Sequence, residues 1–450
     1  MRDLLNDAAA RSTHYLEGLN ARSVIPTPEA IANLTELDGP LPEEPTDPAT
    51  VLALLDDFGS PATVATAGPR FFGFVIGGSL PATVAANWLA GAWDQSPYAY
   101  TDSPISATLE EIALRWLLDI FGLPSTGGGA FVTGATMANF SSLAAARHSV
   151  LQNVGWDVEA DGLFGAPPIT VIVGEEAHPS LFKSLGMLGL GRQRVVRVPV
   201  DGQGRMRSDA FPVISGPTIV CLQAGNVNTG AFDPAREIVP RAREAGAWVH
   251  VDGAFGLWAA AAPARAHLVE GFAGADSWAT DAHKWLNVPY DSGLAFVRDP
   301  APLQAAMSTS AAYLPAQSER RDPSQFTPES SHRARGIEVW AALRSLGWSG
   351  LADLIERTCR YAQHFAEVLH AAGYSILNDV VLNQVLVSFG DEAKTRRVIE
   401  AIQRDGTCWC GPTVWQGHTA MRISVSSWAT TEADVERSLA AMMRIAGEQS

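Results

Sequence analysis

The sequence predicts an α/β protein built around a mostly parallel β-sheet that is buried on both faces. Between residues 61 and 300, short runs of β-branched and apolar residues alternate with helical segments. That alternation is typical of βαβ units, whose parallel strands carry helices on both sides. The length of 450 residues and the 47% of hydrophobic residues suit a chain with more than one unit and a large core.

The strands and helices of this region can be followed in order. The run GGAFVTG (128–134) predicts a strand that ends in a glycine turn, and TMANFSSLAAARHSVLQ (136–152) predicts a helix. Further strands are predicted at 169–176, 218–225, 248–252 and 293–299, and a further helix at 234–246. In sheets of this kind, ligands bind at the carboxyl ends of the strands.

The regions around this large domain (61–300) differ from it in composition. Residues 1–60 hold two helical stretches and a Pro-rich connection, which we interpret as an N-terminal arm. Residues 301–334 are polar and irregular, as is typical of a functional loop. Residues 335–450 begin with a long helical region and continue with alternating strands and helices, which predicts a small C-terminal α/β domain.

Charge and cysteine content exclude several classes of function. The formal net charge of −16 disfavours nucleic acid and anionic membranes as partners. No uncharged apolar run reaches the ~18–20 residues of a membrane span, and the polar first residues do not resemble a signal peptide. Four cysteines are too few for a disulfide framework, and Cys408 and Cys410 have no further ligands at zinc spacing. We therefore expect a cytoplasmic protein without a metal site.

The strongest pair of motifs is HVDGAFG (250–256) and DSWATDAHKW (276–285). Asp252 ends an apolar strand, and Lys284 lies between His and Trp in an apolar stretch. Taken singly, Asp252 could cap a turn and Lys284 could reach solvent. Together they match the two groups that pyridoxal phosphate (PLP) chemistry needs. These are a lysine that forms a Schiff base with the cofactor aldehyde and a carboxylate that keeps the pyridine nitrogen protonated.

These motifs resemble the fold-type I PLP enzymes, and within them the group II amino-acid decarboxylases, which include aromatic-L-amino-acid, histidine and glutamate decarboxylases. The resemblance extends from about residue 50 to the C-terminus. It implies the aspartate-aminotransferase type of fold, with a large seven-stranded domain and a small domain, and a homodimer with shared active sites. It also implies that Lys284 holds PLP, that Asp252 binds the pyridine nitrogen and that the Ala254 methyl packs against the ring.

The same resemblance assigns residues to the cofactor phosphate. TGATMAN (133–139) is a glycine turn followed by a helix start, where the helix dipole favours an anion. The residues assigned here are Gly134, Ala135 and Thr136, although Met137 stands where the family usually has Glu. Ser277 and His283 resemble further phosphate contacts. Asp281 occupies a position at which relatives carry Asn or Asp, and its role stays open.

Two more segments follow predicted strand ends. His178, in EEAHPSLFKSLGMLG (175–189), resembles the histidine that stacks on the open face of the PLP ring, and histidine suits proton transfer near neutral pH. A core histidine is the alternative. The segment AGNVNTGAFDP (224–234) resembles the loop beneath the ring, and either Asn226 or Asn228 would bind the phenolic oxygen.

Catalysis and carboxylate binding are assigned by the resemblance as well. Tyr313, in AAYLP (311–315), resembles the tyrosine of a mobile catalytic loop, which delivers a proton to the α-carbon after CO₂ leaves. The alternative is a tyrosine that only packs the loop. Arg335 resembles an arginine that follows this loop. Arg422, in MRISVSS, resembles a small-domain arginine that can meet the substrate carboxylate, although a structural role is equally compatible with the sequence.

The segment from Pro69 to Pro97 resembles the lining of the substrate pocket, contributed partly by the neighbouring subunit. The aromatic residues singled out in it are Phe72, Phe74, Trp88 and Trp93. Core packing explains most of them equally well. Because no basic residue lies between Arg70 and Pro97, this lining predicts a bulky apolar or aromatic L-amino acid as substrate rather than an acidic one.

The sequence therefore predicts the PLP-dependent decarboxylation of an L-amino acid to the amine and CO₂. Three other reactions on the same scaffold remain alternatives: decarboxylation-coupled aldehyde synthesis, aldol cleavage and transamination. A PLP-binding protein without enzymatic activity is an alternative of a different class, because function resides in sites rather than in folds.

Overall fold

The structure, a computed structural model, describes residues 1–309 and 320–449. Helices α1–α14 occupy Arg2–Gly18, Pro28–Ala32, Pro48–Leu54, Ser60–Ala62, Pro81–Trp93, Pro104–Ile120, Ala135–Gln152, Val158–Asp161, Pro179–Met187, Ala235–Glu244, Pro300–Met307, Gly336–Ala371, Glu392–Asp405 and Glu432–Glu448. Strands β1–β11 occupy Gly128–Val132, Thr170–Gly174, Val196–Val198, Thr218–Gln223, Trp248–Asp252, Ser277–Asp281, Gly293–Val297, Ser375–Ile376, Gln384–Ser388, Gly411–Trp415 and His418–Ser424.

The large sheet has seven strands in the order β1-β7-β6-β5-β4-β2-β3. Strands β2 to β6 pair in parallel, whereas β7 runs antiparallel to both β1 and β6. The predicted seven-stranded, mostly parallel sheet and the fold-type I class are thus confirmed. Because Gly293 at the start of β7 pairs with both Val132 and Asp281, the ends of β1 and β6 meet the start of β7 at one edge. We call this the carboxyl edge, since β2, β4 and β5 end there too.

Both faces of this sheet are covered by helices. Along β2, Val171 and Val173 belong to a core that includes α7 and α9, whereas Ile172 belongs to the core on the opposite face, with α6, α10 and α12. Successive side chains of a strand point to opposite faces, so a strand buried on both sides becomes apolar throughout. This is the physical reason why the runs of the large domain are continuously apolar rather than alternating.

The small sheet is antiparallel, with the order β10-β11-β9-β8. Its own core packs it against α13, α14 and the second half of α12. Within α12, Gly347 leaves the helical conformation at φ 59° and ψ −173°. A positive φ of this size favours glycine, so this residue allows the change of direction between the two halves.

Two details differ from the sequence prediction or extend it. The segment 301–334 is not irregular from its start, because α11 covers Pro300–Met307. Asp299 is the N-cap of this helix, and its side chain accepts from the Ala301 N–H at 3.0 Å. In the N-terminal arm, none of α1, α2 or α3 contributes a fully buried residue. Within the described residues, no helix is long and apolar enough to cross a membrane.

Candidate active site

Ionisable side chains from separate motifs meet at the carboxyl edge. Asp252 ends β5, Asp281 ends β6, and the turn after β6 carries Lys284. The electrostatic surroundings of His178, which precedes α9, include Asp252, Asp281, Lys284 and Arg422. The structure therefore brings together three residues that the sequence assigned to one site from different segments: Lys284, Asp252 and His178.

The turn that carries Lys284 is firmly held. The Trp285 side chain is fully buried and donates a hydrogen bond to the Thr358 hydroxyl at 2.9 Å. On the other side, a Cβ placed on Gly77 would lie 2.0 Å from the Lys284 carbonyl oxygen, so only glycine fits there. The Lys284 ammonium lies 2.8 Å from Asp281 Oδ2, and its side chain remains 20% exposed. The backbone is thus fixed while the amine stays accessible.

A directed chain of buried hydrogen bonds leads to Asp252. Asn139 Nδ2 donates to Asp252 Oδ2 at 3.1 Å, so Asn139 Oδ1 is left to accept from His250 Nε2 at 2.8 Å. His250 Nδ1 must then accept from the Ser277 hydroxyl at 2.9 Å, and Ser277 Oγ accepts from Trp248 Nε1 at 2.8 Å. Every donor in this chain points toward the carboxylate. We refer to these residues as the Asp252 chain.

The Asp252 chain orients the carboxylate without adding a positive charge. Burial lowers the pKa of His250 to about 3, so the imidazole is neutral at physiological pH. The second oxygen, Asp252 Oδ1, accepts from the Ala254 N–H at 3.3 Å, which places the half-buried Ala254 beside it. Sequence reasoning missed Asn139 and His250. The signal was the position of His250 two residues before Asp252, on the same face of β5.

The structure does not bring Ser277 to the predicted phosphate site. Ser277 starts β6, whereas Asp281 ends the strand at the carboxyl edge. The Ser277 hydroxyl is fully buried and already bonded to Trp248 and His250. Its assignment to the phosphate is therefore corrected: Ser277 supports Asp252 through His250.

His178 is held in one orientation by the helix it precedes. It is the N-cap of α9, where Nδ1 accepts from the Ser180 N–H at 3.2 Å and lies 2.7 Å from the Ser180 hydroxyl. Neutral His178 must then carry its proton on Nε2. Burial lowers the pKa of His178, and the nearby Asp252 carboxylate only partly opposes this effect. A neutral imidazole with a free Nε2–H therefore faces the site.

The glycine turn before α7 is closely packed. A Cβ on Gly134 would lie 3.1 Å from the His283 ring, and a Cβ on Gly293 would lie 2.4 Å from the Gly134 Cα. His283 accepts from the Ser292 N–H through Nδ1 at 3.0 Å and packs against Tyr290, with the rings tilted and their centroids 4.4 Å apart. The backbone at Gly134, Ala135 and Thr136 therefore forms a cradle at the helix start.

Of the two asparagines after β4, Asn228 is the one with an uncommitted amide group. Asn226 is 1% exposed; Oδ1 accepts from the N–H groups of Asn228 and Thr229, and Nδ2 donates to Gln223. Asn226 therefore shapes the loop, and the structure gives no support to its assignment to the cofactor. Asn228 accepts through Oδ1 from Thr413 of the small sheet at 2.9 Å. No described residue accepts from its Nδ2 group, which remains for a ligand.

The small sheet presents Arg422 to the site beside an aromatic stack. Arg422 donates to the Val227 carbonyl at 3.2 Å, and burial lowers its pKa. Gly411 lies directly opposite Arg422, and a Cβ on Gly411 would be 3.5 Å from the Trp409 ring. Since opposed residues share a face of the sheet, the Trp409 ring lies on the same face as Arg422. Two phenylalanines flank it, Phe71 at 4.9 Å and Phe74 at 5.3 Å between centroids.

The predicted substrate-binding role of Phe72 is wrong. Phe72 is 1% exposed and packs in the core of the small domain, with its ring 5.2 Å from that of Phe365. Phe74, by contrast, is 60% exposed, and Trp93 is 42% exposed at the end of α5. Both side chains are accessible, and so is Trp88, which lies on α5 with Trp93. The contact of Phe74 and Trp93 with substrate remains a prediction.

The remaining predicted residues come from the segment around the predicted catalytic loop. Tyr313 lies outside the described residues. Arg335 is buried and donates to Asp291 at 2.8 Å, in the loop that follows Lys284. It therefore supports that loop.

The side chains present fit a bound PLP molecule. A lysine amine is accessible, a buried carboxylate ends the adjacent strand, and a tight glycine cradle opens a helix of 18 residues. The cofactor has three matching features: an aldehyde, a ring nitrogen and a phosphate. Each has a complementary group at the carboxyl edge.

Comparison with known proteins agrees with this geometry. The family model described as the pyridoxal-dependent decarboxylase conserved domain matches residues 34–390. Among curated relatives, acidic amino acid decarboxylase GADL1 of Bos taurus is 29% identical over 329 residues, which make up 70% of this chain and 62% of that protein. This chain therefore spans about three fifths of that relative. Tryptophan decarboxylase 1 of Oryza sativa subsp. japonica is 25% identical over 80% of this chain and 77% of the relative.

Solved structures show the same fold. The crystal structure of Oryza sativa TDC with PLP and tryptamine superimposes with a TM-score of 0.91 at 23% identity, covering 99% of this chain and 97% of that one. At this identity the likeness establishes the fold alone. The family match, which covers well over half of the sequence, goes further: this chain belongs to the pyridoxal-dependent decarboxylase family.

Proposed function

We propose that this protein removes the α-carboxyl group of an L-amino acid as CO₂, with PLP bound covalently through Lys284. The supporting observation is the meeting of Lys284, Asp252 and His178 at the carboxyl edge, beside the start of α7. The chain has three lysines, at positions 183, 284 and 394. Lys284 lies in the turn directly after a strand of the large sheet, whereas Lys183 and Lys394 lie on helices α9 and α13.

Each side chain has a role that follows from its surroundings. When bound, PLP supplies an electron sink for the pair of electrons released as the bond to the carboxylate breaks. Asp252, oriented by Asn139, stabilises a proton on the pyridine nitrogen. His178 can donate its Nε2–H to the substrate, or its imidazole can cover the cofactor ring. Asn228 offers its amide group to the phenolic oxygen.

Arg422 is the group best placed to receive the substrate carboxylate. Among the described residues it has no carboxylate partner, and one of its donors is held by the Val227 carbonyl. A guanidinium is suited to carboxylate binding. However, a strong ion pair would stabilise the substrate more than the transition state, because the carboxylate is lost during the reaction. The single anchoring bond to Val227 fits a residue that orients the substrate.

We further propose that the substrate is aromatic or bulky and apolar. The stack of Phe71, Trp409 and Phe74 lies on the face of the small sheet that carries Arg422. An aromatic side chain bound against Trp409 would extend this stack, and such ring pairs are worth about 0.5–1.5 kcal/mol beyond their buried area. The curated relatives include both acidic and aromatic amino-acid decarboxylases by name, so substrate comparison is decisive.

The exposed apolar surface supports a homodimer with shared active sites. Helix α5 exposes Trp88, Leu89 and Trp93 at 45%, 54% and 42%, and the arm exposes Leu5 and Leu16. Exposed apolar side chains that cluster on one helix, as on α5, commonly mark a protein interface. A second copy of the chain is the partner proposed here, and the cytoplasm is the proposed location. Analytical ultracentrifugation should give twice the mass of one chain, which is 47.9 kDa.

The experiment that tests the function is a screen of the twenty common L-amino acids for CO₂ release, with amine and aldehyde measured as products. We expect CO₂ and an equal amount of amine from an aromatic amino acid. Borohydride reduction should fix PLP on Lys284 in the wild-type protein and not in Lys284→Ala. Lys183→Ala is the matched control and should keep the adduct. Stable aldehyde as the main product would instead favour an aldehyde synthase, and an adduct on another lysine would refute the site.

A further inference from the structure

One carboxylate contacts both the proposed cofactor cradle and the cofactor lysine. Asp281 is 2% exposed, and Oδ1 accepts a hydrogen bond from the Ala135 N–H with a nitrogen–oxygen distance of 2.5 Å. The same oxygen lies 3.4 Å from His283 Nε2, and Oδ2 lies 2.8 Å from the Lys284 ammonium. A single side chain thus occupies the first amide of α7 and pairs with the cofactor lysine.

The position that Asp281 occupies is one that favours anions. Helix α7 has 18 residues, and its N-cap, Gly134, has no side chain with which to cap it. The free N–H groups of a helix start carry partial positive charge and attract phosphates and carboxylates alike. Asp281 takes the place of the missing capping side chain, so it occupies an amide that the proposed function assigns to the phosphate.

Few positive charges are available to hold two anions in this cradle. The titratable groups that face Asp281 are Lys284, His283, His178 and Tyr290. Burial lowers the pKa of both histidines, so neither is cationic at neutral pH. Burial also raises the pKa of Tyr290 to about 12, which keeps the phenol neutral. Of these four groups, only Lys284 carries a positive charge.

Asp281 cannot move away from the cradle as a whole. Its backbone N–H donates to the Ala254 carbonyl at 2.9 Å, and its carbonyl accepts from Trp258 Nε1 at 3.0 Å. Only the side chain can rotate, and rotation would break its charge-assisted bond to Ala135. An incoming phosphate group therefore meets the carboxylate unless that bond is broken.

We propose that Asp281 competes with the phosphate group of PLP for the start of α7, so that cofactor binding is weakened most when that phosphate is fully ionised. This proposal rests on the proposed function, which places the phosphate at Gly134, Ala135 and Thr136. A phosphate monoester gains its second negative charge with a pKa near 6. PLP should accordingly bind less tightly as the pH rises through that range, and cofactor occupancy should depend on the PLP supply.

The test compares wild-type apoprotein with Asp281→Asn, titrated with PLP and with pyridoxal, which lacks the phosphate, at pH 5.5 and pH 8.0. Asparagine keeps an oxygen that can accept from Ala135 and replaces the charge with an N–H donor. Both ligands report any change at Lys284, so the ratio of their dissociation constants isolates the phosphate. In the variant, one negative charge beside the phosphate is removed. We therefore expect the preference for PLP over pyridoxal to be about tenfold higher than in the wild-type protein at pH 8.0. At pH 5.5 the increase should be smaller.

Asp276→Asn is the matched control. Asp276 precedes the same strand, is largely buried and also accepts from a backbone N–H, that of Val249 at 2.9 Å, but it lies at the opposite edge of the sheet. It should leave the ratio unchanged. If Asp281→Asn does not fold, Asp281→Ser removes the same charge and gives the same comparison.

Three outcomes decide the proposal. An increase in PLP preference confined to the Asp281 variants and larger at pH 8.0 supports it. An unchanged ratio, or weaker PLP binding at both pH values, overturns it. Borohydride trapping separates this failure from failure of the proposed function. A Lys284 adduct with an unchanged ratio refutes only the role of Asp281. The absence of an adduct at any PLP concentration refutes the proposed function itself.

Discussion

The two sides of the candidate site are built in different ways. On the side of the large sheet, the Asp252 chain runs through the protein interior, and each of its members donates or accepts a hydrogen bond. On the side of the small sheet, Arg422 is anchored by one bond to a backbone carbonyl, and the neighbouring Trp409 by ring packing. Buried polar networks are costly to alter, because each unpaired group left behind loses its solvation.

This difference separates what is fixed from what can vary. The large-sheet side must hold one cofactor in one orientation, and its bonds leave few alternatives. The small-sheet side meets the substrate through apolar rings and a single cation, which tolerate substitution more easily. Changes on the first side should therefore affect every substrate equally, and changes on the second side should affect some substrates more than others.

The largest effect is expected at Tyr313, which belongs to neither set of described residues. If its hydroxyl delivers the proton to the α-carbon, Tyr313→Phe should slow amine formation by about 10²–10⁴-fold, the usual worth of a positioned acid. Aldehyde and peroxide should rise, since oxygen can then intercept the carbanion. The measurement is amine and aldehyde yield per CO₂, under air and under nitrogen. Amine formation at the wild-type rate would move the role to His178, and the large-sheet side would then supply both cofactor binding and acid.

Asp252→Ala tests the fixed side directly. Removing the carboxylate leaves the pyridine nitrogen without its charge partner and Asn139 Nδ2 without an acceptor. Turnover should fall on the order of 10²–10³-fold for every substrate, because the electron sink loses the charge that supports it; this corresponds to about 3–4 kcal/mol of transition-state stabilisation. PLP affinity, followed by absorbance, should fall as well. Activity within a few-fold of wild type would mean that Asp252 does not contact the ring.

Asn139→Ala tests whether the hydrogen bonds behind Asp252 contribute to activity. The variant removes the Asn139 amide that donates to the Asp252 carboxylate and accepts from His250. Turnover should fall about tenfold, in keeping with one hydrogen bond to a charged group. The absorbance of the bound cofactor and its pH dependence should shift, which a purely structural loss would not cause. Trp248→Phe, at the far end of the same chain, is the control and should change turnover by no more than about threefold.

The smallest effect is expected at Trp409. Trp409→Leu should lower kcat/KM for an aromatic amino acid by about threefold to tenfold, the worth of one ring contact, while PLP affinity stays unchanged. Trp116→Leu is the matched control, since Trp116 stacks on Trp340 away from the carboxyl edge. An equal loss for small and aromatic amino acids would remove the distinction between the two sides, as would a higher kcat/KM for glutamate than for aromatic amino acids.

How well the sequence predicted each side follows from the same contrast. Lys284 and Asp252 were found because each lies at a strand end inside a short motif. Ser277 was misassigned because closeness in sequence to Lys284 hid its place at the opposite end of β6. Phe72 was misassigned because an aromatic residue does not reveal which core it fills. Asn139 and Asp281 could not be given partners, since their contacts join segments more than a hundred residues apart.

The segment that follows Phe71 links the two halves of the protein mechanically. Phe72 is embedded in the core of the small domain and Val75 in that of the large domain, while Gly77 presses on the Lys284 carbonyl. Gly77 follows Phe72 by five positions, a reach of at most about 18 Å. A segment this short allows little independent movement of its two ends. A rotation of the small sheet that carries Phe72 with it would act on the backbone of the cofactor lysine as well as on Phe74.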